Sequence, residues 1–127
     1  MELGGNAPFI VCDDADIDLA VESAIIAKMR HNAEACTAAN RFLVHSRVAS
    51  EFGDKFAARM AGLRIGDGMK ADTQIGPLAS ASALQGIDEL VTAAVAGGAT
   101  VVTGGTRGGT EGYYYLPTVL TNVASDA

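Results

Sequence analysis

Cys36 is the residue of this sequence best suited to chemistry, and three interpretations of it are open. It lies in the segment RHNAEACTAANR, Arg30–Arg41, with Glu34 two residues before the thiol and His31 five before it. Small and polar residues dominate this segment, which indicates an irregular loop, and loops on rigid scaffolds commonly present reactive groups. The thiol is a packed small side chain, a metal ligand or a nucleophile, and spacing alone favours packing.

A metal site and a hydrolytic dyad are the two alternatives to a packed thiol that composition can address. A structural zinc site takes about four ligands, usually in close Cys or His pairs. His31, Cys36 and His45 are three scattered candidates without a CxxC pair, so we predict no metal. A Cys–His hydrolase that pairs Cys36 with either histidine remains an alternative on composition.

Glu2 and Cys12 are two further residues with chemical potential. Glu2 precedes Gly4 and Gly5 in MELGG, and glycines allow the backbone to approach a flat or charged group closely. A solvated carboxylate near the terminus is the simpler interpretation. Cys12 ends the apolar run APFIVC, so we predict that it belongs to the core of a strand. Two cysteines do not make a disulfide framework of the secreted type.

Strands and helices that would position these residues follow from periodicity. The predicted strands are Ala7–Cys12, Arg41–Ser46 and Ala99–Gly105, with a last extended segment, Gly112–Val123, broken at Pro117. Three helices are predicted. The first is capped by Asp14 or Asp16, with an apolar face at Ile17, Ala20, Val21, Ala24, Ile25 and Met29. The others are Val48–Leu63, with Phe52, Phe56, Met60 and Leu63 at helical spacing, and Ser80–Ala96.

This order of elements predicts an α/β fold in which crossover helices join the strands of a parallel sheet. Parallel strands are usually buried on both faces, which accounts for their continuous apolar runs. The Gly- and Pro-rich stretch Arg64–Leu78 is predicted to be a long surface loop. A chain of 127 residues is long enough for a single domain.

Composition argues against several classes of partner. The net charge is −6 without any basic cluster, so binding to nucleic acid through phosphate neutralisation is not expected. No apolar run reaches the roughly 20 residues of a membrane-spanning helix, so no membrane partner is expected. The N-terminus lacks a basic region ahead of an apolar stretch, and we therefore predict a cytoplasmic protein.

Several motifs in one order make the chain similar to a known family. ELGGNAPFIV (Glu2–Val11) precedes a helix and EACTAANR (Glu34–Arg41). Then follow IGPL (Ile75–Leu78), GGATVVTGG (Gly97–Gly105) and YYLPTVLTNV (Tyr114–Val123). Together they resemble the aldehyde dehydrogenase superfamily over nearly the whole chain, and most closely its succinate-semialdehyde dehydrogenases.

The resemblance implies roles for four residues. Cys36 would be the nucleophile and Glu2 the general base, while Leu3 and Gly4 would lie against the nicotinamide of NAD or NADP. The backbone N–H of Cys36 would be one oxyanion donor. The implied partner is a small aldehyde, most simply succinate semialdehyde, and the implied assembly is a homo-oligomer.

The chain also departs from the family pattern. Ala33 stands where glycine is usual, Glu34 where glutamine is usual, and Ala38 where some members carry a second cysteine. We therefore predict that Cys36 takes part in no regulatory disulfide switch, and a Cys12–Cys36 disulfide found by thiol titration would contradict this. Family members run to several hundred residues, so residues 1–127 are expected to be a partial catalytic domain without the dinucleotide-binding domain. Alone it is expected to have little or no dehydrogenase activity, and the alternative is a non-catalytic folded remnant.

Overall fold

The computed structural model describes residues 4–109 and 111–124, so Glu2 and Leu3 lie outside the described residues. The chain divides into two compact units, Met1–Arg59 and Met60–Ala127. The elements, in order, are β1 Ala7–Val11, α1 Ile17–Met29, a short 3₁₀ segment Arg30–Ala33, β2 Ala39–Val44, α2 Ala49–Ala61, α3 Ala81–Ala96, β3 Thr100–Thr103 and β4 Val119–Thr121.

β1 and β2 form a parallel pair joined by the crossover helix α1. Phe9 is opposite Phe42 and Val11 is opposite Val44, but the register shifts between Ala7 and Pro8. That shift leaves Asn40 without a partner residue on β1. The predicted α/β class with a parallel sheet is confirmed for this unit.

The α1 helix begins and packs as its sequence predicts. Asp16 is the N-cap, and its Oδ1 accepts a hydrogen bond of 3.1 Å from the backbone N–H of Leu19. An N-cap of this kind satisfies one of the free N–H groups of the first turn. Four residues of the predicted apolar face are buried, namely Ile17, Val21, Ala24 and Ile25.

Four phenylalanines form the aromatic core of the first unit. Phe9 and Phe42 on the strands meet Phe52 and Phe56 on α2, with ring centroids from 4.9 Å (Phe42–Phe56) to 6.5 Å (Phe9–Phe52) apart. Such offset pairs add to the free energy of apolar burial. This cluster places α2 on one face of the sheet and accounts for the helical spacing of its phenylalanines.

The opposite face of the sheet is open, so the expectation of strands buried on both faces is wrong. Ile10 and Leu43 are neighbours in register and are 67% and 56% exposed. Side chains alternate along a strand, and the face carrying Phe9 and Val11 is the covered one. The prediction that Cys12 lies in the core is also wrong. β1 ends at Val11, and Cys12 begins the exposed turn to α1.

The second unit contains α3 and an antiparallel pair of strands. The N-cap Ser80 accepts a hydrogen bond from the N–H of Ala83 at 3.1 Å, and α3 extends from there to Ala96. β3 and β4 pair with Val101 opposite Leu120. The pair is antiparallel rather than part of the parallel sheet, and the described residues between its two strands form no crossover helix.

Loop 64–78 has no helix or strand of its own, as predicted. It is nevertheless ordered by backbone hydrogen bonds, from the N–H of Gly66 to the carbonyl of Ile75 at 2.9 Å and from Gln74 to Arg64 at 2.8 Å. Across residues 4–109 and 111–124, none of the helices has the length and apolarity that crossing a membrane requires.

Candidate functional site

Cys36 lies in a tight turn that leads into β2. The turn spans residues 35–38 and is closed by a hydrogen bond of 2.8 Å from the N–H of Ala38 to the carbonyl of Ala35. Ala38 and Ala39 are each only 2% exposed and anchor the turn, whereas Cys36 is exposed. The interpretation of Cys36 as a packed core thiol is therefore excluded. Cys12 and Cys36 are both exposed free cysteines in the structure, and the expected lack of a disulfide switch stays a prediction.

The turn before the cysteine has an uncommon backbone. His31, Asn32 and Ala33 have φ angles of 53°, 59° and 65°, all in the left-handed region. A hydrogen bond of 3.0 Å from the N–H of Glu34 to the carbonyl of His31 closes it. L-residues with a Cβ are disfavoured here by roughly 1–2 kcal/mol. The left-handed backbone at Ala33 therefore explains why glycine is expected at this position, an explanation that the sequence alone did not provide.

A side-chain hydrogen bond from Arg30 joins the two ends of the segment 30–37. One of its terminal nitrogens donates a hydrogen bond of 3.1 Å to Oγ1 of Thr37, the residue after the cysteine. The bond spans the left-handed turn and the Cys36 turn. The position of Cys36 is thus determined by the end of α1 as well as by the start of β2.

Gly5 brings the N-terminal motif to the cysteine. A Cβ built on Gly5 would lie 1.9 Å from the carbonyl oxygen of Cys36 and 3.0 Å from its carbonyl carbon. Only glycine permits so close a backbone approach. Gly4, the predicted nicotinamide contact, is exposed, has φ +61° and has open space around its missing Cβ. Glu2 and Leu3 are outside the described residues, so their predicted roles remain predictions.

Two residues that the sequence analysis did not identify hold Gly5 in place. Nδ2 of Asn40 donates a hydrogen bond of 3.2 Å to the carbonyl of Gly5, and Nζ of Lys28 donates to Oδ1 of Asn40 at 2.5 Å. Burial lowers the pKa of Lys28 from its ordinary value. The predicted strand began at Arg41, whereas β2 begins at Ala39, so Asn40 lies in a strand only in the structure, where asparagine is uncommon.

Neither histidine is established as a base for Cys36. His45 follows the far end of β2, and six extended residues separate the two ends of that strand by about 20 Å. Its Nδ1 accepts a hydrogen bond of 3.3 Å from the N–H of Arg47. His31 is in the left-handed turn, and no hydrogen bond joins its ring to Cys36 within the described ranges. These ranges also contain no cluster of three or more His, Cys, Asp or Glu residues suited to a metal.

Comparisons with known proteins find relatives that match nearly the whole of this chain. The chain is 57% identical over 127 residues to a succinate-semialdehyde dehydrogenase of Paenarthrobacter nicotinovorans and 44% identical over 126 residues to an NADP⁺ succinate-semialdehyde dehydrogenase of Mycobacterium leprae. The two alignments include 100% and 99% of this chain, respectively, but only 28% of the length of each relative. The crystal structure of succinate-semialdehyde dehydrogenase from Burkholderia pseudomallei superposes with a TM-score of 0.93 at 46% identity, over 99% of this chain and 26% of that one.

The chain thus spans little more than a quarter of the length of the relatives that it matches. The sequence profile of the aldehyde dehydrogenase family matches residues 1–127, which include both the cysteine turn and the glycine segment packed against it. The protein therefore belongs to the aldehyde dehydrogenase family.

Proposed function

We propose that this chain carries the nucleophile and the general base of an NAD(P)-dependent aldehyde dehydrogenase that oxidises succinate semialdehyde to the acid. The observation that supports it best is the contact between Gly5 and the carbonyl of Cys36. Because Glu2 is three residues before Gly5, the chain can separate them by at most about 10 Å. A base at Glu2 is therefore within reach of chemistry at Cys36.

Cys36 would act first. Its thiolate attacks the aldehyde carbon to form a thiohemiacetal, and the N–H of Cys36 donates to the developing oxyanion. The hydrogen bonds among the described residues do not use that N–H, which leaves it available. A bound NAD(P) would supply the acceptor for the hydride of the aldehyde carbon, and Cys36 would then hold the acyl group as a thioester.

Glu2 would act second. Its carboxylate takes a proton from water, whose oxygen attacks the thioester carbon, and the Cys36 thiolate leaves as the acid forms. Gly4 suits a nearby flat ring, because no atom of the described residues, apart from its chain neighbours, lies within 4 Å of its missing Cβ. Leu3 and Gly4 would hold the nicotinamide, which matches the predicted cofactor NAD or NADP.

Substrate and cofactor choice rest on similarity. Relatives are named as succinate-semialdehyde dehydrogenases, one of them for NADP⁺, which supports succinate semialdehyde as the aldehyde. The 127-residue chain alone is proposed to reduce little or no NAD(P), because it spans a small part of its relatives. Homo-oligomer formation, a cytoplasmic location and the absence of metal and nucleic-acid partners stay predictions.

An activated ester tests the proposed roles of Cys36 and Glu2 without NAD(P), because ester cleavage needs no hydride acceptor. With p-nitrophenyl acetate, Cys36 would displace p-nitrophenolate in a burst of one equivalent, and hydrolysis of the acetyl thioester would then limit turnover. Mass spectrometry should find one acetyl group on Cys36. Cys36→Ser should abolish the burst, and Cys12→Ser is the matched control because Cys12 is also an exposed thiol. Acetylation confined to Cys12 would refute the proposal.

The same assay separates the hydrolase alternative. Glu2→Gln should leave the burst intact and slow the release of acetate, so that acetylated protein accumulates. His31→Ala and His45→Ala should change neither phase. A loss of the burst in either histidine variant, with Glu2→Gln unaffected, would instead support a Cys–His hydrolase.

A further inference from the structure

Asn40 lies where the register between β1 and β2 shifts, and its side chain bonds to the segment before β1. The register passes from Ala7 opposite Ala39 to Pro8 opposite Arg41, so Asn40 is the extra residue of β2. Bulges redirect side chains and are enriched beside active sites. Here the amide of Asn40 donates to the carbonyl of Gly5 at 3.2 Å. The irregularity thus supplies a side-chain bond between β2 and the segment before β1.

The orientation of the Asn40 amide follows from its two partners. The ammonium of Lys28 can only donate, so the atom that faces it must be Oδ1. The carbonyl of Gly5 can only accept, so the atom that faces it must be Nδ2. Lys28 is half-buried in the last turn of α1. Lys28 therefore orients the amide that holds Gly5.

Gly5 is itself in close contact with Cys36, so this bond affects the reacting residue. We infer that Asn40, oriented by Lys28, is a positioning residue that holds the Gly4–Gly5 segment, and with it the general base, at the nucleophile. The catalytic part of this inference rests on the proposed function, whereas the holding of Gly5 does not. Neither side chain touches the substrate in this proposal; both act through the backbone of Gly5.

The holding of Gly5 can be measured without catalysis, by ¹⁵N relaxation of the 127-residue chain. In the unaltered protein, the amides of Gly5 and Asn6 should have order parameters near those of rigid backbone, about 0.85. Asn40→Ala should lower them below about 0.6, while the amides of α2 stay unchanged. Asn40→Asp should act similarly, because a carboxylate accepts from Lys28 but cannot donate to Gly5.

Further variants test whether the rigidity of Gly5 depends on Lys28 and on the hydrogen bond from Asn40. Lys28→Met should give an intermediate loss of order, and Lys28→Arg should restore rigidity because it keeps a donor for Oδ1. Asn6→Asp is the control for Asn40→Asp. It adds the same negative charge next to Gly5 in the sequence but keeps the hydrogen bond from Asn40 to Gly5, so Gly5 should stay rigid. An unchanged order parameter at Gly5 in Asn40→Ala would overturn the inference.

The ester assay then tests the catalytic consequence. Asn40→Ala should retain the acylation burst and slow deacylation by about 10- to 100-fold, the loss typical of a misplaced catalytic group. Equal slowing of both phases would indicate a merely structural role and overturn the catalytic part. A missing burst in the unaltered chain would refute the proposed function, and the relaxation result at Gly5 would still decide whether Asn40 holds the segment.

Discussion

Gly5 lies so close to Cys36 that its missing Cβ would be 1.9 Å from the cysteine's carbonyl oxygen. The atom in the way belongs to the backbone, so it cannot swing aside as a flexible side chain would. This contact joins the two motifs that carry the proposed chemistry, which lie far apart in the sequence. It also makes the glycine a requirement of the fold as well as of the site.

Replacing Gly5 with alanine should therefore destabilise the protein. We expect a loss of about 1–3 kcal/mol in the free energy of unfolding, the usual cost of overpacking a tight contact, measured by urea denaturation. Gly53→Ala is the control, because its site in α2 has open space and alanine is the better helix former by roughly 1 kcal/mol. Equal stability of the Gly5→Ala variant and the unaltered protein would argue against the contact.

Replacing alanine with glycine usually lowers the free energy of unfolding, but Ala33→Gly should not. Alanine at φ 65° is strained by about 1–2 kcal/mol, and glycine relieves that strain at an entropic cost of roughly 0.5–1 kcal/mol. We expect unfolding free energy that is unchanged or raised by up to about 1 kcal/mol. Ala58→Gly, at an exposed site in α2, should instead lose about 1 kcal/mol. A comparable loss in both variants would contradict the left-handed geometry.

Phe56→Ala tests the aromatic core of the first unit. Phe56 is 4% exposed, and its ring contacts those of Phe42 and Phe52. Truncation of a buried phenylalanine costs about 3–5 kcal/mol, so urea denaturation followed by circular dichroism should show a free energy of unfolding lowered by about that amount. Leu43→Ala, on the open face of the same sheet, should change stability by no more than about 0.5 kcal/mol.

Lys28 should make stability depend on alkaline pH. Burial lowers its pKa in the folded protein below the ordinary 10.5, so the unfolded chain binds the proton more tightly. Stability contributed by this group therefore rises as pH increases through the folded pKa towards 10.5. The difference in unfolding free energy between unaltered protein and Lys28→Met should change in that direction from pH 8 to 10.5. A constant difference would show that Lys28 is not desolvated.

Sequence predicted the elements well because their signals are local. The Asp16 cap and the apolar spacing of α1 are contained in the residues themselves. The burial of Cys12 and of both sheet faces was predicted wrongly, because exposure depends on which other elements cover a strand. The Gly5–Cys36 contact and the Asn40 bulge join segments about 35 residues apart, and spacing carries no information on such a contact. The proposed roles of Cys36 and Glu2 came from the resemblance, because no local pattern in the sequence indicates them.

The open pair Ile10 and Leu43 affects how folding of this protein should be assayed. Hydrophobic dyes such as ANS bind exposed apolar surface, and such binding is commonly taken as a sign of a molten globule. Here the native sheet itself offers adjacent aliphatic side chains to solvent. ANS fluorescence would therefore report a well-packed protein as partly unfolded, and near-ultraviolet dichroism of the phenylalanine cluster is the sounder criterion of native packing.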